Sequence, residues 1–274
     1  MRCMFLGFAL ALFGLAAAAA PPAYQLSGSH AQGGLIIGEV PPGTQVTQDG
    51  KTLRVSEGGT FVFGFSHDAA PQSSLAFVWP DGGTHQQTLT VEQRQYREQH
   101  INGLPPKKVT PPPEVTARLN RERAMVREAR AISSDHNHWT GGFIWPADGR
   151  VTGVYGSRRV LNGLPRWPHF GLDVAGPPGT EVRAPAGGTV LLAERDFYYE
   201  GGIVIIDHGF GVSSTLFHLL SVDVEVGQAV GQGDTIGAMG ATGRATGSHV
   251  DWRINWHDVR LDPAFLVPPM VAQD

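Results

Sequence analysis

Between residues 24 and 101 the chain consists of short runs in which apolar and polar residues alternate. This period of two is typical of β-strands with one buried face. The runs lie at 34–40, 45–47, 52–55, 60–65, 74–78 and 86–91, and turn signals such as Asp49-Gly50 and Gly58-Gly59 separate them. We therefore predict a small β-sandwich over residues 23–101. It carries no cluster of Asp, Glu and His at ligand spacing, so we expect an accessory domain.

The pattern changes over residues 102–140. Prolines at 105–106 and 111–113 favour extended polyproline geometry and predict a stiff linker. Residues 114–132 contain neither glycine nor proline and are rich in Ala, Arg and Glu, which predicts a helix. We interpret the arginines and glutamates of this helix as a solvated face.

Strand signals return from residue 143, and the clearest runs lie at 187–193, 202–207, 213–218 and 248–254. Between residues 224 and 243 glycines recur every few positions, which is typical of an antiparallel meander with tight corners. We predict a second domain over residues 142–268, built on an antiparallel sheet. The fold class is therefore mainly β.

Composition narrows the possible functions. The 36 glycines and 20 prolines disfavour a helical bundle, and the formal charge of −4 argues against nucleic acid as a partner. The single cysteine, Cys3, excludes a disulfide framework and cysteine-based zinc sites, so any metal must be held by His, Asp or Glu. Glycine-rich hairpins also occur in lipoyl and biotinyl carrier domains, but no lysine follows Lys108 to carry such a group.

Residues 1–20 have the pattern of a secretory signal peptide. Arg2 precedes an apolar run, and the small residues 16–20 resemble a processing site. The alternative is a membrane anchor that is retained, because the apolar run approaches spanning length. We expect an exported protein of the periplasm or cell envelope.

Three segments of the second domain carry residues suited to a metal site. His169 and Asp173 lie four residues apart, with Gly171 between them to permit a bend. His249 and Asp251 are separated by one residue, so on a strand both face the same side. His218 lies in an apolar strand close to a turn. Each segment alone is weak, but together in one glycine-rich β domain they indicate a functional site.

Over roughly residues 142–263 the sequence resembles the lysostaphin-type (LytM-type) zinc metallopeptidases, which cleave peptide cross-links of bacterial peptidoglycan. The matching motifs occur in order along the domain. They are 169–173 (HFGLD), 205–209 (IIDHG), 217–219 (FHL), 233–237 (GDTIG) and 243–249 (GRATGSH).

The resemblance implies that His169 and Asp173 are zinc ligands and that His218 and His249 form the catalytic pair. The third ligand of the family is the second histidine of an HxH motif, and this chain has Asp251 at that position. Aspartate is a competent zinc ligand, but two carboxylates leave the site less positive than the usual ligand set. We therefore expect a higher pH optimum, weaker turnover, or preference for a harder ion such as Mn²⁺ over Zn²⁺.

The resemblance thus predicts a metal-dependent endopeptidase acting on peptidoglycan peptides. Separately, Phe197, Tyr198 and Tyr199 precede Gly201-Gly202 and suggest a loop that lines the substrate groove. Ordinary hydrophobic packing is the alternative for these two tyrosines. For the whole domain, the alternative is a degenerate LytM-type domain that binds murein or regulates an amidase, with an envelope protein as its partner. A purely structural β-protein would leave the shared motifs unexplained.

Overall fold

The computed structural model describes residues 24–270, and these form a mainly β protein, as predicted. The predicted signal peptide lies outside the described residues. Among residues 24–270, no helix is both long enough and apolar enough to cross a membrane.

The N-terminal strands form two facing antiparallel sheets. In chain order the strands are β1 (Gln25–Gly28), β2 (Leu35–Glu39), β3 (Gln45–Gln48), β4 (Lys51–Leu53), β5 (Thr60–Gly64), β6 (Gln72–Val78) and β7 (Thr84–Thr90). One sheet has the order β1-β2-β5 and the other β4-β3-β6-β7. Phe61 and Phe63 from the first sheet pack with Leu75 and Phe77 from the second in one core, which makes this part a sandwich.

The segment between the strand regions is more structured than a stiff linker. It contains β8 (Glu98–Ile101), α1 (Pro106–Val109), a 3-10 turn at Pro113–Val115 and α2 (Thr116–Ala131). The helix predicted at 114–132 is confirmed by α2. The extended geometry predicted for the first prolines is wrong at α1. Pro106 is tolerated there because the first turn of a helix needs no backbone N–H from that position.

The remaining strands are β9 (Arg150–Gly153), β10 (Arg158–Leu161), β11 (Leu164–Pro165), β12 (Leu172–Ala175), β13 (Glu181–Arg183), β14 (Gly188–Phe197), β15 (Gly201–Gly209), β16 (Val212–Val222), β17 (Ala229–Val230), β18 (Thr235–Met239), β19 (His249–Trp256) and β20 (Val259–Leu261). Ten of them form one sheet with the main order β17-β14-β15-β16-β19-β12-β9. Every residue of β15 is buried, as expected for the centre of a sheet covered on both faces.

Helix α2 packs on one face of this sheet. Ala129 and its neighbours on α2 contact Ile203, Ile205 and Phe217, whereas Trp252 belongs to the core on the other face. The face of α2 is only partly solvated, contrary to the sequence interpretation, because Glu122 is buried and Arg130 is half-buried against the sheet.

Strand β8 pairs in parallel with β10, so the chain before α2 completes a small sheet with the order β11-β10-β8. The alternation pattern does not predict β8. This pairing places Gln99 and Ile101 of β8 in the lining of a pocket that Asp173, His218 and His249 also line.

Candidate metal centre

The strand register brings two carboxylates together. Strands β12 and β19 are antiparallel neighbours, and Asp173 lies directly opposite Asp251. Two carboxylates at such a position repel each other unless positive charge lies between or beside them. The sequence predicted that both residues serve one site, and the pairing explains how they meet.

His169 completes the group from the loop before β12. Its Nε2 lies 3.1 Å from Oδ1 of Asp173 and 3.1 Å from Oδ2 of Asp251. One nitrogen or oxygen atom from each of the three residues lies within 4.8 Å of the others, and all three residues are buried. The structure therefore brings the three predicted ligands together.

Atoms at the centre of this group lack hydrogen bonds. Among the described residues, Nε2 of His169 and Oδ1 of Asp173 are buried without a hydrogen-bond partner of acceptable geometry. Leaving buried polar atoms unsatisfied costs free energy, and a cation bound between them removes that cost. The donor set of one imidazole and two carboxylates suits Zn²⁺ and harder divalent ions. The three residues thus fit a metal ion.

Two arginines that the sequence analysis missed contact the carboxylates. Arg253 donates from Nε to Oδ1 of Asp251 at 3.0 Å and from Nη2 to Oδ2 at 2.6 Å. Arg159 donates from Nη2 to Oδ2 of Asp173 at 2.8 Å. Burial alone would raise the pKa of Asp251, but Arg253 and His169 outweigh it and hold that pKa well below its usual range.

These guanidinium groups change the charge expected from the ligands alone. Two carboxylates around one divalent ion leave the site less positive than the usual ligand set. Arg159 and Arg253 return two positive charges within hydrogen-bond distance. The higher pH optimum and weaker turnover stay predictions, and the two guanidinium charges act against both. For Arg253 the sequence signal is its position two residues after Asp251.

A β-bulge directs His218 toward the same place. Leu216 pairs with Val204 and Leu219 with Gly202, so β16 has one residue more than β15 over this interval. His218 takes a left-handed backbone with φ of 65°, and its N–H donates to the Glu200 carbonyl at 2.8 Å. Bulges often redirect a side chain next to a functional site. Here the bulge brings the His218 ring to 4.7 Å from the ring centre of His249.

The hydrogen bonds of the two rings fix their tautomers. Nδ1 of His218 is 2.8 Å from the Thr242 carbonyl, and Nδ1 of His249 is 2.8 Å from the Gly247 carbonyl. Because a carbonyl oxygen only accepts, each Nδ1 carries a proton, and in the neutral form of either ring Nε2 offers the lone pair. Nε2 of His249 lies 3.8 Å from Oδ1 of Asp173, so this lone pair faces the metal centre.

The other candidate residues lie elsewhere. The two tyrosines do not line the pocket beside the metal centre: Tyr198 is buried and donates its hydroxyl to the Lys107 carbonyl at 2.7 Å, and the half-buried Tyr199 lies under Arg244. His208, which the resemblance leaves outside the catalytic set, is fully buried between the Gly187 carbonyl and the Ser214 hydroxyl.

A pocket of about 280 Å³ opens beside the metal centre. Asp173, His218 and His249 form part of its lining, and the glycine-rich turn before β19 forms another part. Ile101 and Leu104, from the chain segment before α2, contribute a further wall. A substrate at the metal centre would contact both parts of the chain.

We expect an added methyl group at Gly171 to disturb the centre. A Cβ atom there would lie 2.2 Å from Oδ1 of Asp251 and 2.9 Å from the Trp252 carbonyl oxygen, and both neighbours are held in place. Gly171→Ala should lower the free energy of unfolding by about 1–3 kcal/mol through overpacking and should weaken metal binding. Urea unfolding and metal titration measure the two effects. Gly141→Ala, whose Cβ would meet nothing within 4 Å, is the control and should change neither.

Acid should destabilise the fold through two buried histidines. Burial lowers the pKa of His208 and of His218 to about 4, from the usual value of 6.5. Between pH 6.5 and pH 4 the unfolded chain binds protons at these histidines that the folded protein does not. The contribution of each neutral histidine to the free energy of unfolding is therefore complete above pH 6.5 and is lost as the pH falls toward 4. The expected loss is on the order of 3 kcal/mol per histidine.

Urea unfolding between pH 7 and 4 in the presence of a chelator measures this loss. His208→Asn removes one of the two groups and should flatten the profile by roughly half. A free energy of unfolding that stays constant from pH 7 to pH 5 would contradict the prediction.

The geometry of the centre agrees with the comparisons with known proteins. Residues 167–263, which include all three members of the buried group, match the sequence model of Peptidase family M23. A solved structure of an M23 peptidase from Pseudomonas aeruginosa is 30% identical, with 87% of this chain and 95% of that chain covered and a TM-score of 0.65.

Two curated relatives match shorter regions. The peptidoglycan DD-endopeptidase ShyA of Vibrio cholerae is 39% identical over 87 residues, which are 32% of this chain and 20% of the relative. The murein hydrolase activator NlpD of Salmonella typhimurium is 26% identical over 183 residues, 67% of this chain and 46% of the relative. The chain thus spans between a fifth and a half of the length of these two relatives.

The antiparallel sheet and the buried His–Asp–Asp group beside an open pocket are consistent with a metallopeptidase domain. The M23 sequence match and the solved relative, which this chain covers almost end to end, make the assignment specific. The chain belongs to peptidase family M23.

Proposed function

We propose that the protein is an exported, metal-dependent endopeptidase that hydrolyses peptide cross-links of bacterial peptidoglycan. One observation carries the proposal: His169, Asp173 and Asp251 converge with unsatisfied buried atoms at their centre. The endopeptidase named among the curated relatives supports peptidoglycan as the substrate class. A bacterial substrate of this kind lies outside the cytoplasm, which agrees with the predicted signal peptide.

In this proposal His169, Asp173 and Asp251 hold the metal, Zn²⁺ or a harder ion such as Mn²⁺. A bound divalent ion would polarise the peptide carbonyl and make water a stronger nucleophile near neutral pH. Arg159 and Arg253 keep the two carboxylates ionised and oriented. The ligands are thereby arranged before substrate arrives.

His218 and His249 would handle protons. Burial keeps His218 neutral above its pKa of about 4, so its Nε2 can accept a proton from the attacking water at neutral pH. Once protonated, the same atom becomes a donor toward the negative charge on the attacked carbonyl oxygen. The Thr242 and Gly247 carbonyls hold the two rings in the orientation that this requires.

A regulatory role is the second candidate, and one feature of the centre favours it. Both oxygens of Asp251 already accept hydrogen bonds from Arg253, so the ion pair can stabilise this part of the site without a metal. The murein hydrolase activator among the relatives adds to this possibility. In that case the chain would bind murein or an envelope amidase and cleave nothing.

Cleavage of purified muropeptides separates the two candidates. The endopeptidase proposal expects cross-linked dimers to be converted to monomers, with loss of activity in chelator and recovery when Zn²⁺ or Mn²⁺ is added. Protein that binds muropeptides equally well with and without chelator, and never cleaves them, would support the regulator. Comparing Zn²⁺ with Mn²⁺ in the recovery step also tests which ion the His–Asp–Asp set prefers.

A further inference from the structure

A second pocket, of about 260 Å³, lies between helix α2 and the face of the large sheet that α2 covers. Its lining is rich in one residue type. The five arginines are Arg123, Arg127, Arg130, Arg253 and Arg260. Arg123 and Arg127 are exposed at the rim, and the other three are partly buried. We call this space the arginine pocket.

The interior of the arginine pocket contains a guanidinium group with an N–H that has no hydrogen-bond acceptor. Arg130 donates from Nη2 to the Thr215 hydroxyl at 3.0 Å, but its Nε is buried and has no partner among residues 24–270. Arg260 donates to the Asn255 side-chain oxygen at 3.2 Å. Neutral oxygens therefore take the place in which a carboxylate normally faces a buried guanidinium group.

The positive charge of the arginine pocket is largely unbalanced. Arg253 pairs with Asp251. The other four arginines have no carboxylate oxygen within 4 Å of a guanidinium nitrogen among residues 24–270. The lining includes two acids, Glu122 and Glu200. Glu122 pairs with Arg118 at 2.6 Å and accepts from the Tyr198 backbone N–H, so it is already engaged. Burial raises the pKa of Glu200, and the Glu200 charge only partly opposes the lowering of the Arg130 pKa.

The arginines destabilise one another in this arrangement. Burial, together with the nearby charges of Arg260 and Arg253, lowers the pKa of Arg130 well below its usual value. Burial and Arg253 lower the pKa of Arg260 to about 10. An anion that enters a half-enclosed space lined by several positive charges is attracted to them, so its binding lowers the free energy of the protein.

We propose that the arginine pocket binds a small oxyanion, either a carboxylate or a phosphate. The planar guanidinium fork matches both groups through paired hydrogen bonds. Phe197, Phe217 and Val126 line the same space, so a short apolar body attached to the anionic group also fits. The volume suits an end group of a ligand rather than a large molecule. This site is separate from the metal centre, although Arg253 contacts both.

Isothermal titration of the full-length protein tests the proposal with four probes: inorganic phosphate, acetate, alanyl-alanine and its C-terminal amide. We expect binding of one equivalent of phosphate or of alanyl-alanine. Binding of alanyl-alanine but not of its amide would identify a carboxylate ligand, and binding of phosphate alone would identify a phosphate ligand. Absence of binding by all four probes at ~10 mM would overturn the proposal.

Variants distinguish binding inside the arginine pocket from nonspecific attraction of anions to a positively charged surface. Arg130→Met should weaken binding by about tenfold or more. Arg121→Met, an exposed change on the same helix outside the lining, should leave it unaltered. If Arg130→Met fails to fold, the exposed rim variant Arg127→Gln replaces it. Equal weakening by Arg121→Met would contradict the proposal.

A further variant distinguishes the arginine pocket from the metal centre. His169→Ala removes a candidate metal ligand, so anion binding that persists in this variant supports a separate site. Binding abolished by His169→Ala would assign the anion to the metal centre instead and overturn the inference. Failure of the endopeptidase proposal would leave this result unaffected, because the titration measures no cleavage.

Discussion

The Asp173→Asn protein should lose its metal ion and its activity on muropeptides while keeping its fold. Asp173 offers Oδ1 to the centre and keeps Oδ2 on Arg159. The amide has the same shape but carries no charge, so it is a weaker ligand and can turn an N–H toward His169. We expect metal affinity to fall on the order of a hundredfold or more and cleavage on the order of a thousandfold. Metal analysis after dialysis and muropeptide assays measure both losses.

The matched control for this experiment is Asp223→Asn. Asp223 is exposed in the same domain, and among residues 24–270 its side chain hydrogen-bonds only to the Ser221 hydroxyl. We expect this variant to retain both metal and activity. Full cleavage by Asp173→Asn would exclude Asp173 as an essential ligand and would contradict the metal-dependent mechanism proposed above.

The second large effect concerns stability. Arg253→Met should destabilise the metal-free protein by about 3–5 kcal/mol, because it leaves the Asp251 carboxylate buried without its cation. Only 2% of the Asp251 side chain is exposed, so water cannot replace the lost hydrogen bonds. Bound metal should reduce the loss, since the ion neutralises the same carboxylate. Urea unfolding with chelator and with added metal compares the two states.

A double-mutant cycle completes this test. Asp251→Asn combined with Arg253→Met removes both charges, and the pair should cost much less than the sum of the single changes. Arg150→Met alters an exposed arginine and should remain within about 0.5 kcal/mol of the wild type. If Arg253→Met is as stable as this control, the ion pair contributes nothing to the metal-free fold.

Local pattern predicts much of this fold because the relevant interactions are close in sequence. Helix α2 is found where an uninterrupted run without glycine or proline predicts it. Strand β6 is found where alternation predicts it, with Leu75 and Phe77 pointing into the sandwich core. The candidate ligands are also accessible to sequence reasoning, because the spacing within each motif carries the chemistry.

Features that depend on contacts between residues far apart in the sequence cannot be predicted from local pattern. Arg159 on β10 reaches Asp173 on β12 only in the folded chain, because the two strands belong to different sheets, and nothing in its own sequence identifies it as part of the site. The direction of His218 depends on a one-residue bulge relative to β15, which cannot be read from β16 alone. The sequence around Arg130 is typical of a solvated helix face, and only the folded structure shows that the large sheet covers it.

The parallel pairing of β8 with β10 also bears on how such a protein can be divided and recombined. The family match begins at residue 167, yet Ile101 and Leu104 line the pocket beside the metal centre, and Leu104 exchanges two hydrogen bonds with Asn162. A gene fragment cut at the start of the matched region would encode the candidate ligands but would lack one wall of the pocket beside them. The shortest fragment that keeps this pocket whole therefore begins before Glu98, well upstream of the first candidate ligand, His169.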